Sequence, residues 1–171
     1  MRKQKGFSLI ELLIVVAIIL IIAAIAIPSL LRSRMLANQS AAASTIRTLN
    51  TAEVTYQSTY PAIGYTGVLL RLGPGGPACV GPTNLSACLI DSVLAAGTKQ
   101  GYSYLISPNA GAVAVPLTDY ILSTTPQNPG ASGNIDYCSR SELVIRSNGP
   151  PSAGANVTTQ AACDAYAPIQ N

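Results

Sequence analysis

The sequence contains no histidine, no tryptophan and a single phenylalanine among its 171 residues. The absence of histidine excludes Ser-His-Asp and Cys-His catalysis and every zinc site that needs an imidazole ligand. Charged residues make up only 10% of the chain, against about 25% in an average soluble domain. The acidic residues beyond position 11 are scattered and form no close pair, so we expect no enzymatic activity, no metal site and no cofactor.

The small positive charge has a single origin. The formal net charge is +3, from ten basic and seven acidic residues. Three of the basic residues, Arg2, Lys3 and Lys5, lie within the first five positions, and without them the balance is seven against seven. The sequence therefore has no basic surface, and it predicts no nucleic-acid binding.

A long apolar segment follows this basic start. Sixteen uninterrupted apolar residues run from Leu12 to Ile27, and the stretch is 21 residues long if it is counted from Phe7. A helix of that length spans roughly 30 Å, the thickness of a bilayer core. Basic residues before the segment predict a single membrane pass with a cytoplasmic N-terminus. The exception within the segment is Glu11, because an ionised carboxylate there costs about 3 kcal/mol unless it has a partner.

Two interpretations of this segment compete. The first is a cleaved secretory signal, in which Ala24-Ile25-Ala26 supplies the small-x-small cleavage site and Ile27 becomes the first residue. Glu11 counts against a disposable signal, because such a signal has no need for a costly carboxylate. In the second interpretation the segment stays on the mature protein and Glu11 pairs with an amine.

The second interpretation rests on a resemblance. Residues 5–13, Lys-Gly-Phe-Ser-Leu-Ile-Glu-Leu-Leu, resemble the class III signal of type IV pilins and pseudopilins. A short basic leader ends at Gly6, Phe7 follows, and Glu11 stands four residues later at the head of the apolar helix. The resemblance implies that a prepilin peptidase removes the leader, residues 1–6, by cutting between Gly6 and Phe7. It also implies that the same enzyme N-methylates Phe7.

The resemblance further implies the partners and the location. The protein would lie in the bacterial inner membrane and then join other copies of itself in a helical filament, through an inner-membrane assembly platform. Glu11 would pair with the Phe7 amine of a neighbouring subunit, since each charge is costly alone in an apolar environment. The filament would be a cell-surface pilus, or a periplasmic pseudopilus if the chain is a type II secretion pseudopilin.

The pattern beyond the apolar segment predicts an α+β protein. We expect one long helix with an apolar half, 7–28, and an amphipathic half, 29–60, bent at Pro28 and ended by Pro61. Glu53 interrupts the apolar stripe of the second half, which is spaced by three or four residues. The members of the stripe are Ala42, Ile46, Leu49, Tyr56 and Tyr60.

The globular head, residues 61–171, is rich in glycine and proline, so its elements should be short. The helix would pack against a small antiparallel sheet whose loops are stapled by disulfides. We expect a loop over 61–83, a short helix over about 86–96 capped by Asn84 or Ser86, strands over about 101–107, 117–123 and 142–147, and a C-terminal loop or tail over 147–171.

Four cysteines, Cys79, Cys88, Cys138 and Cys163, lie in this head, and none belongs to a C-x-x-C pair. A zinc ribbon or a thioredoxin-like site is therefore not expected. The resemblance implies that the head lies outside the cytoplasm, where the environment is oxidising and disulfides can form. Three connectivities are open, and we favour Cys79–Cys88 with Cys138–Cys163, which pairs neighbours in the sequence.

The resemblance therefore implies a structural subunit of a type IV pilus. The first alternative is a type II secretion pseudopilin. The second is a monomeric, membrane-anchored binding protein that captures a ligand through its 147–171 tail.

Overall fold

The first element is one long helix, α1, from Leu9 to Thr59. The computed structural model describes residues 7–76, 78–109, 115–152 and 154–169, and the chain divides into two units, Met1–Arg34 and Met35–Asn171. The prediction of a long N-terminal helix is confirmed. Pro28 lies inside α1 without ending it, and the predicted bend at Pro28 stays a prediction. The helix ends at Thr59 because Pro61 disfavours a helical conformation for the residue before it.

The unit Met35–Asn171 is built on an antiparallel sheet, which confirms the α+β class. Among the described residues the sheet has six strands, and each one pairs with the next along the chain. Its strands are β1 Thr98–Lys99, β2 Tyr102–Pro108, β3 Tyr120–Pro126, β4 Asp136–Arg140, β5 Arg146–Asn148 and β6 Ala167–Pro168. Three short helices accompany it: α2 Leu69–Leu72, α3 Ser92–Ala95 and α4 Gln160–Asp164.

The core lies between one face of this sheet and the second half of α1. Ala42, Ile46, Leu49 and Tyr56 of the predicted stripe are fully buried, and Tyr60 is partly buried. On the sheet, apolar side chains two residues apart along each strand join the same cluster, because alternate residues share a face. These side chains are Tyr102, Tyr104, Ile106, Tyr120, Leu122 and Tyr137.

A polar network crosses this core. The Asn50 Nδ2 on α1 donates to the Ser139 Oγ on β4 at 2.8 Å, and the Tyr120 hydroxyl on β3 donates to the Asn50 Oδ1 at 3.0 Å. All three residues are buried, and the two hydrogen bonds give these polar groups partners in place of water. The network therefore fixes the register of α1 against the centre of the sheet.

The opposite face of the sheet is covered by the C-terminal segment. Cys138 of β4 packs with Val157, Cys163 and Tyr166, and the Asn156 Nδ2 donates to the Ser103 Oγ on that face at 3.3 Å. Within 147–171 the chain forms α4 and β6. The prediction of a loop-like tail is therefore wrong for these residues, because α4 packs on the outer face of the sheet and β6 adds a strand to its edge.

The predicted helix over 86–96 is also wrong in its extent, since only α3, Ser92–Ala95, is helical. The backbone N–H groups of Ala87 and Leu89 donate to the carbonyls of Arg71 and Leu72, at 2.8 and 2.7 Å. These bonds hold the chain away from a helical path until Asp91. Its side chain caps α3 by accepting a hydrogen bond from the Leu94 N–H at 2.9 Å, so neither Asn84 nor Ser86 is the cap.

Other element positions differ from the sequence prediction. The strand expected over 117–123 lies at 120–126, the strand expected over 142–147 overlaps β5 only at 146–147, and α2 lies in the region predicted as a loop. The β3 strand is buried at every position, because α1 and the C-terminal segment cover its two faces. It therefore lacks the apolar–polar alternation by which a half-buried strand is found.

Candidate functional site

The start of α1 brings together the residues that the sequence marks as functional. The backbone N–H of Ser8 donates to the Oε2 of Glu11 at 2.9 Å, and the Leu12 N–H donates to the Ser8 carbonyl at 3.3 Å. A Ser followed three residues later by a Glu that accepts from its N–H is half of a capping box. The helix therefore begins where it does because Glu11 satisfies one of its first backbone donors.

Glu11 lies where the helix favours a negative charge. It belongs to the first turn of α1, where the helix dipole stabilises anions. Its side chain is exposed, and a carboxylate with one oxygen engaged keeps acceptor capacity for a further donor. Gly6 lies outside the described residues, so the predicted cleavage site is described only on its Phe7 side.

Apolar side chains are exposed along the described part of the first unit, residues 7–34. From Phe7 to Arg34 every side chain is exposed except Ala23, which is half-buried. Phe7 is 84% exposed, Leu9 81% and Ile25 74%. The helix is long and apolar enough to cross a membrane, judged by length and composition. A surface this apolar requires a lipid or protein environment that covers it.

The four cysteines form two disulfides, Cys79–Cys88 and Cys138–Cys163, which are the pairs favoured from the sequence. The second joins β4 to α4, and both of its cysteines are fully buried. It closes a sequence separation of 25 residues and holds the C-terminal layer against the sheet.

Salt bridges reinforce this attachment. Two hydrogen bonds of 2.8 Å join the Arg140 Nη1 to the Asp164 carboxylate. Arg146 pairs with Glu142, and its Nη2 lies 3.7 Å from the Asp164 Oδ1. The acidic partners are more than a third exposed, so each pair contributes only modestly to stability. Their role is to fix α4 beside β4 and β5.

One buried carboxylate was not recognised as such in the sequence. Glu53, which interrupts the apolar stripe of α1, is fully buried. Burial raises the pKa of Glu53, and two hydrogen bonds from Thr66 oppose that increase. The sequence indicates a buried carboxylate, because Glu53 is the one acidic residue on the apolar stripe of α1. Nothing in the sequence indicates that its partner is Thr66, 13 residues further on.

Metal chemistry has no support among the described residues. In the described part of the chain, no group of three or more His, Cys, Asp or Glu side chains lies close enough together to hold a metal ion. The Asp119 carboxylate is occupied by the Ser141 hydroxyl at 2.5 Å and the Asn109 amide at 2.6 Å, and these bonds hold the pKa of Asp119 below its usual value despite burial.

A long apolar helix headed by this N-terminal segment and joined to a disulfide-bonded antiparallel head is a pilin-like architecture. The family model "Prokaryotic N-terminal methylation motif" matches residues 1–27. The chain is 62% identical over 40 residues to the type IV wide pilus major component PilA4 of Thermus thermophilus, covering 23% of this chain and 30% of that protein. It is 46% identical over 56 residues to the type IV major pilin protein PilA of Myxococcus xanthus, covering 33% of this chain and 26% of that protein.

The resemblance to type IV pilins is therefore confirmed by the motif and by the identity of these relatives. The similarity spans less than a third of the length of either relative.

Proposed function

We propose that the chain is a structural subunit of a type IV pilus, of the major-pilin kind, and that it has no enzymatic activity. A prepilin peptidase cuts between Gly6 and Phe7 and methylates the new amine of Phe7. The subunit resides in the inner membrane until the assembly platform adds it to a helical filament. The observation that carries the proposal is the exposed apolar surface of residues 7–34, which carries Glu11 in the first helical turn and overlaps the methylation motif at residues 7–27.

The free energy gained by burying that surface explains why the subunit is stable both in the inner membrane and in the filament. Burial of one large aliphatic side chain contributes about 1.5–3 kcal/mol. The exposed residues of the first unit include an almost continuous series of Leu, Ile and Val from Leu9 to Ile27. The series is stable in a bilayer before assembly and against the helices of other subunits afterwards. On this proposal the segment stays on the mature protein.

Glu11 supplies the specificity that apolar contact lacks. Cleavage after Gly6 creates a positive amine on Phe7, and methylation preserves its charge. In the filament interior an isolated carboxylate or amine is costly, whereas a paired one is tolerated. The Ser8 N–H holds the Glu11 carboxylate at the helix start, where an incoming amine of a neighbouring subunit reaches it. Pairing then sets the axial register between subunits.

The names of the relatives favour a pilus over a pseudopilus, since both are described as major pilus components. A monomeric binding protein that uses the 147–171 tail has less support, because much of that tail is packed on the sheet.

Mechanical shearing of cells tests the proposal. The wild-type chain should be released as long fibres, and Glu11→Lys should remain in the membrane fraction because it places a second cation beside the Phe7 amine. Val115→Lys is the control, since it introduces the same cation at a position of the head that is 76% exposed. Fibres that form normally with Glu11→Lys, or protein that is never sheared from wild-type cells, would contradict the proposal.

A further inference from the structure

The two disulfides of the head lie in opposite surroundings. Cys138 and Cys163 are fully buried, and each stands in a regular element, β4 or α4. Cys79 is exposed, Cys88 is half-buried, and neither lies in a helix or a strand. A thiol dissolved in water therefore has access to the Cys79–Cys88 sulfurs in the folded protein, whereas the Cys138–Cys163 sulfurs become accessible only after the C-terminal segment moves away from the sheet.

Cys79 belongs to an exposed segment, residues 78–82, which we call the arm. All five residues of the arm are exposed, and Val80 is exposed to 89%. None of these residues, all of which the structure describes, takes part in a hydrogen bond or an ion pair. At Gly81 no atom beyond its chain neighbours lies within 4 Å of the position that a Cβ would occupy. The disulfide is therefore the bond that attaches the arm to the rest of the head.

Cys88 is anchored independently of the disulfide. Its N–H donates to the Gly73 carbonyl at 3.2 Å, and the N–H groups of its neighbours, Ala87 and Leu89, donate to carbonyls of α2 at 2.8 and 2.7 Å. Ala87 is buried in the main core cluster. These bonds also hold the Cys88 backbone in the left-handed region, with a φ of 56°, which residues other than glycine rarely adopt. Cleavage of the sulfur–sulfur bond should therefore release the arm and leave Cys88 in place.

Access also decides which of the two sulfurs a thiolate attacks. Cys79 lies on the exposed arm, whereas Cys88 is half-buried and its Sγ lies 3.9 Å from the Ser86 carbonyl oxygen. No charged residue occurs from position 72 to position 90, so no side chain of the loop attracts a thiolate to one sulfur in preference to the other. The rate of exchange then depends on access to the attacked sulfur. Cys79 is therefore the sulfur that an incoming thiolate reaches first.

We propose that Cys79–Cys88 is a thiol–disulfide exchange site for a dithiol reductant, with Cys79 as the attacked residue and Cys88 as the leaving group. A thiolate of the reductant forms a bond to the Cys79 Sγ, the sulfur–sulfur bond breaks, and its electron pair goes to the Cys88 Sγ, which takes a proton from water. The second thiolate of the reductant attacks the reductant's own sulfur in this mixed disulfide, and the Cys79 Sγ leaves as a thiolate that is then protonated. The dithiol is oxidised to a disulfide, and the two cysteines are reduced to thiols.

Reduction at this site changes the arm and spares the core. The arm loses its attachment, while α1 and the sheet stay in contact through the main core cluster, which includes neither Cys79 nor Cys88. The buried Cys138–Cys163 bond continues to hold the C-terminal segment. The exchange therefore releases one surface segment under redox control. No step requires assembly, so the site is independent of the proposed function.

Differential alkylation of the full chain in detergent tests the selectivity. The chain is treated with dithiothreitol or with a thioredoxin-type protein dithiol at equal thiol concentration, quenched with iodoacetamide, and mapped by peptide mass. Cys79 and Cys88 should be labelled about tenfold faster than Cys138 and Cys163, because an exposed disulfide exchanges more readily than a buried one. Selective reduction by dithiothreitol alone would support the site and identify a small dithiol as its reductant. Equal labelling of the two pairs by both reductants would overturn the proposal.

A matched pair of variants tests the order of attack. Cys88→Ala leaves a single thiol on the arm, and Cys79→Ala leaves a single thiol at the anchored position. With oxidised glutathione, Cys79 in the first variant should form a mixed disulfide about tenfold faster than Cys88 in the second, because exchange depends on access to the sulfur. Thermal unfolding in detergent checks that both variants are folded, and the alkylation of the wild-type chain needs no variant. An equal or reversed order would overturn the assignment of Cys79 as the attacked residue.

Discussion

Two hydrogen bonds from Thr66 hold the carboxylate of Glu53, a residue of α1, and form a clamp between the two residues. The Thr66 hydroxyl donates to the Glu53 Oε1 at 2.6 Å, and the Thr66 N–H donates to Oε2 at 2.9 Å. Both side chains lie out of solvent. The pair ties the end of the long helix to the segment that follows it, and it fixes the point at which the chain turns back toward the head.

This clamp predicts a pH dependence of stability. Burial raises the pKa of Glu53 above its usual value, which is about 4.3 in unfolded chains. The folded state then binds the proton more tightly than the unfolded state, so the contribution of this group is most favourable below the usual pKa. It decreases as the pH rises through the window between the usual and the raised pKa.

The variant Glu53→Gln should remove this part of the pH dependence. The glutamine carbonyl can accept from the Thr66 N–H, and its amide can donate to the Thr66 hydroxyl, which already lies 3.0 Å from the Val68 carbonyl. Thermal unfolding of the full chain in detergent, measured between pH 4 and pH 8, should show a flatter profile than wild type. Ser44→Ala, which removes no titratable group and lies on the exposed face of α1, should retain the wild-type slope, and an unchanged slope in Glu53→Gln would contradict the prediction.

The buried network around Asn50 predicts a large effect from one hydroxyl. Ser139→Ala leaves the Asn50 Nδ2 without its 2.8 Å acceptor, and an orphaned buried donor costs about 1–3 kcal/mol. We expect the free energy of unfolding of the full chain in detergent to fall by that amount. Ser44→Ala, on the exposed face of α1, is the control and should change it by about 0.5 kcal/mol or less.

The two disulfides should differ in their contribution. Closure of the loop from Cys138 to Cys163, with its sequence separation of 25, contributes roughly 3.5 kcal/mol in the loop-entropy description. The separation of nine residues in Cys79–Cys88 gives roughly 2.5 kcal/mol. Cys138→Ala with Cys163→Ala should therefore lower the midpoint of denaturant unfolding more than Cys79→Ala with Cys88→Ala. The reverse order would show that the C-terminal layer is not held by its disulfide.

The sequence predicts the long helix because its signal is local. An uninterrupted apolar run is followed by residues 29–60, which contain neither glycine nor proline. This pattern predicts one continuous helix, and the structure has it from Leu9 to Thr59. Glu11 is recognisable in the same way, because a carboxylate in an apolar run differs from all its neighbours, whereas the role proposed for Phe7 rests on the resemblance to type IV pilins.

The head is less predictable because its determinants are distant in sequence. Leu85, Leu89 and Val93 are spaced as on a helix, yet the Leu89 N–H is bonded to Leu72, 17 residues earlier. The β3 strand loses its alternation because the segment beyond residue 149 covers its outer face. Local periodicity does not report such contacts, in which tertiary packing overrides propensity.

If the apolar helix stays on the mature protein, Phe7 is its first residue. Intact-mass and N-terminal peptide analysis of the chain purified from its own cells measures this. We expect a chain that begins at Phe7 and whose terminal amine carries one methyl group. A chain that begins at Ile27, or one that retains residues 1–6 in assembled fibres, would contradict the proposed function.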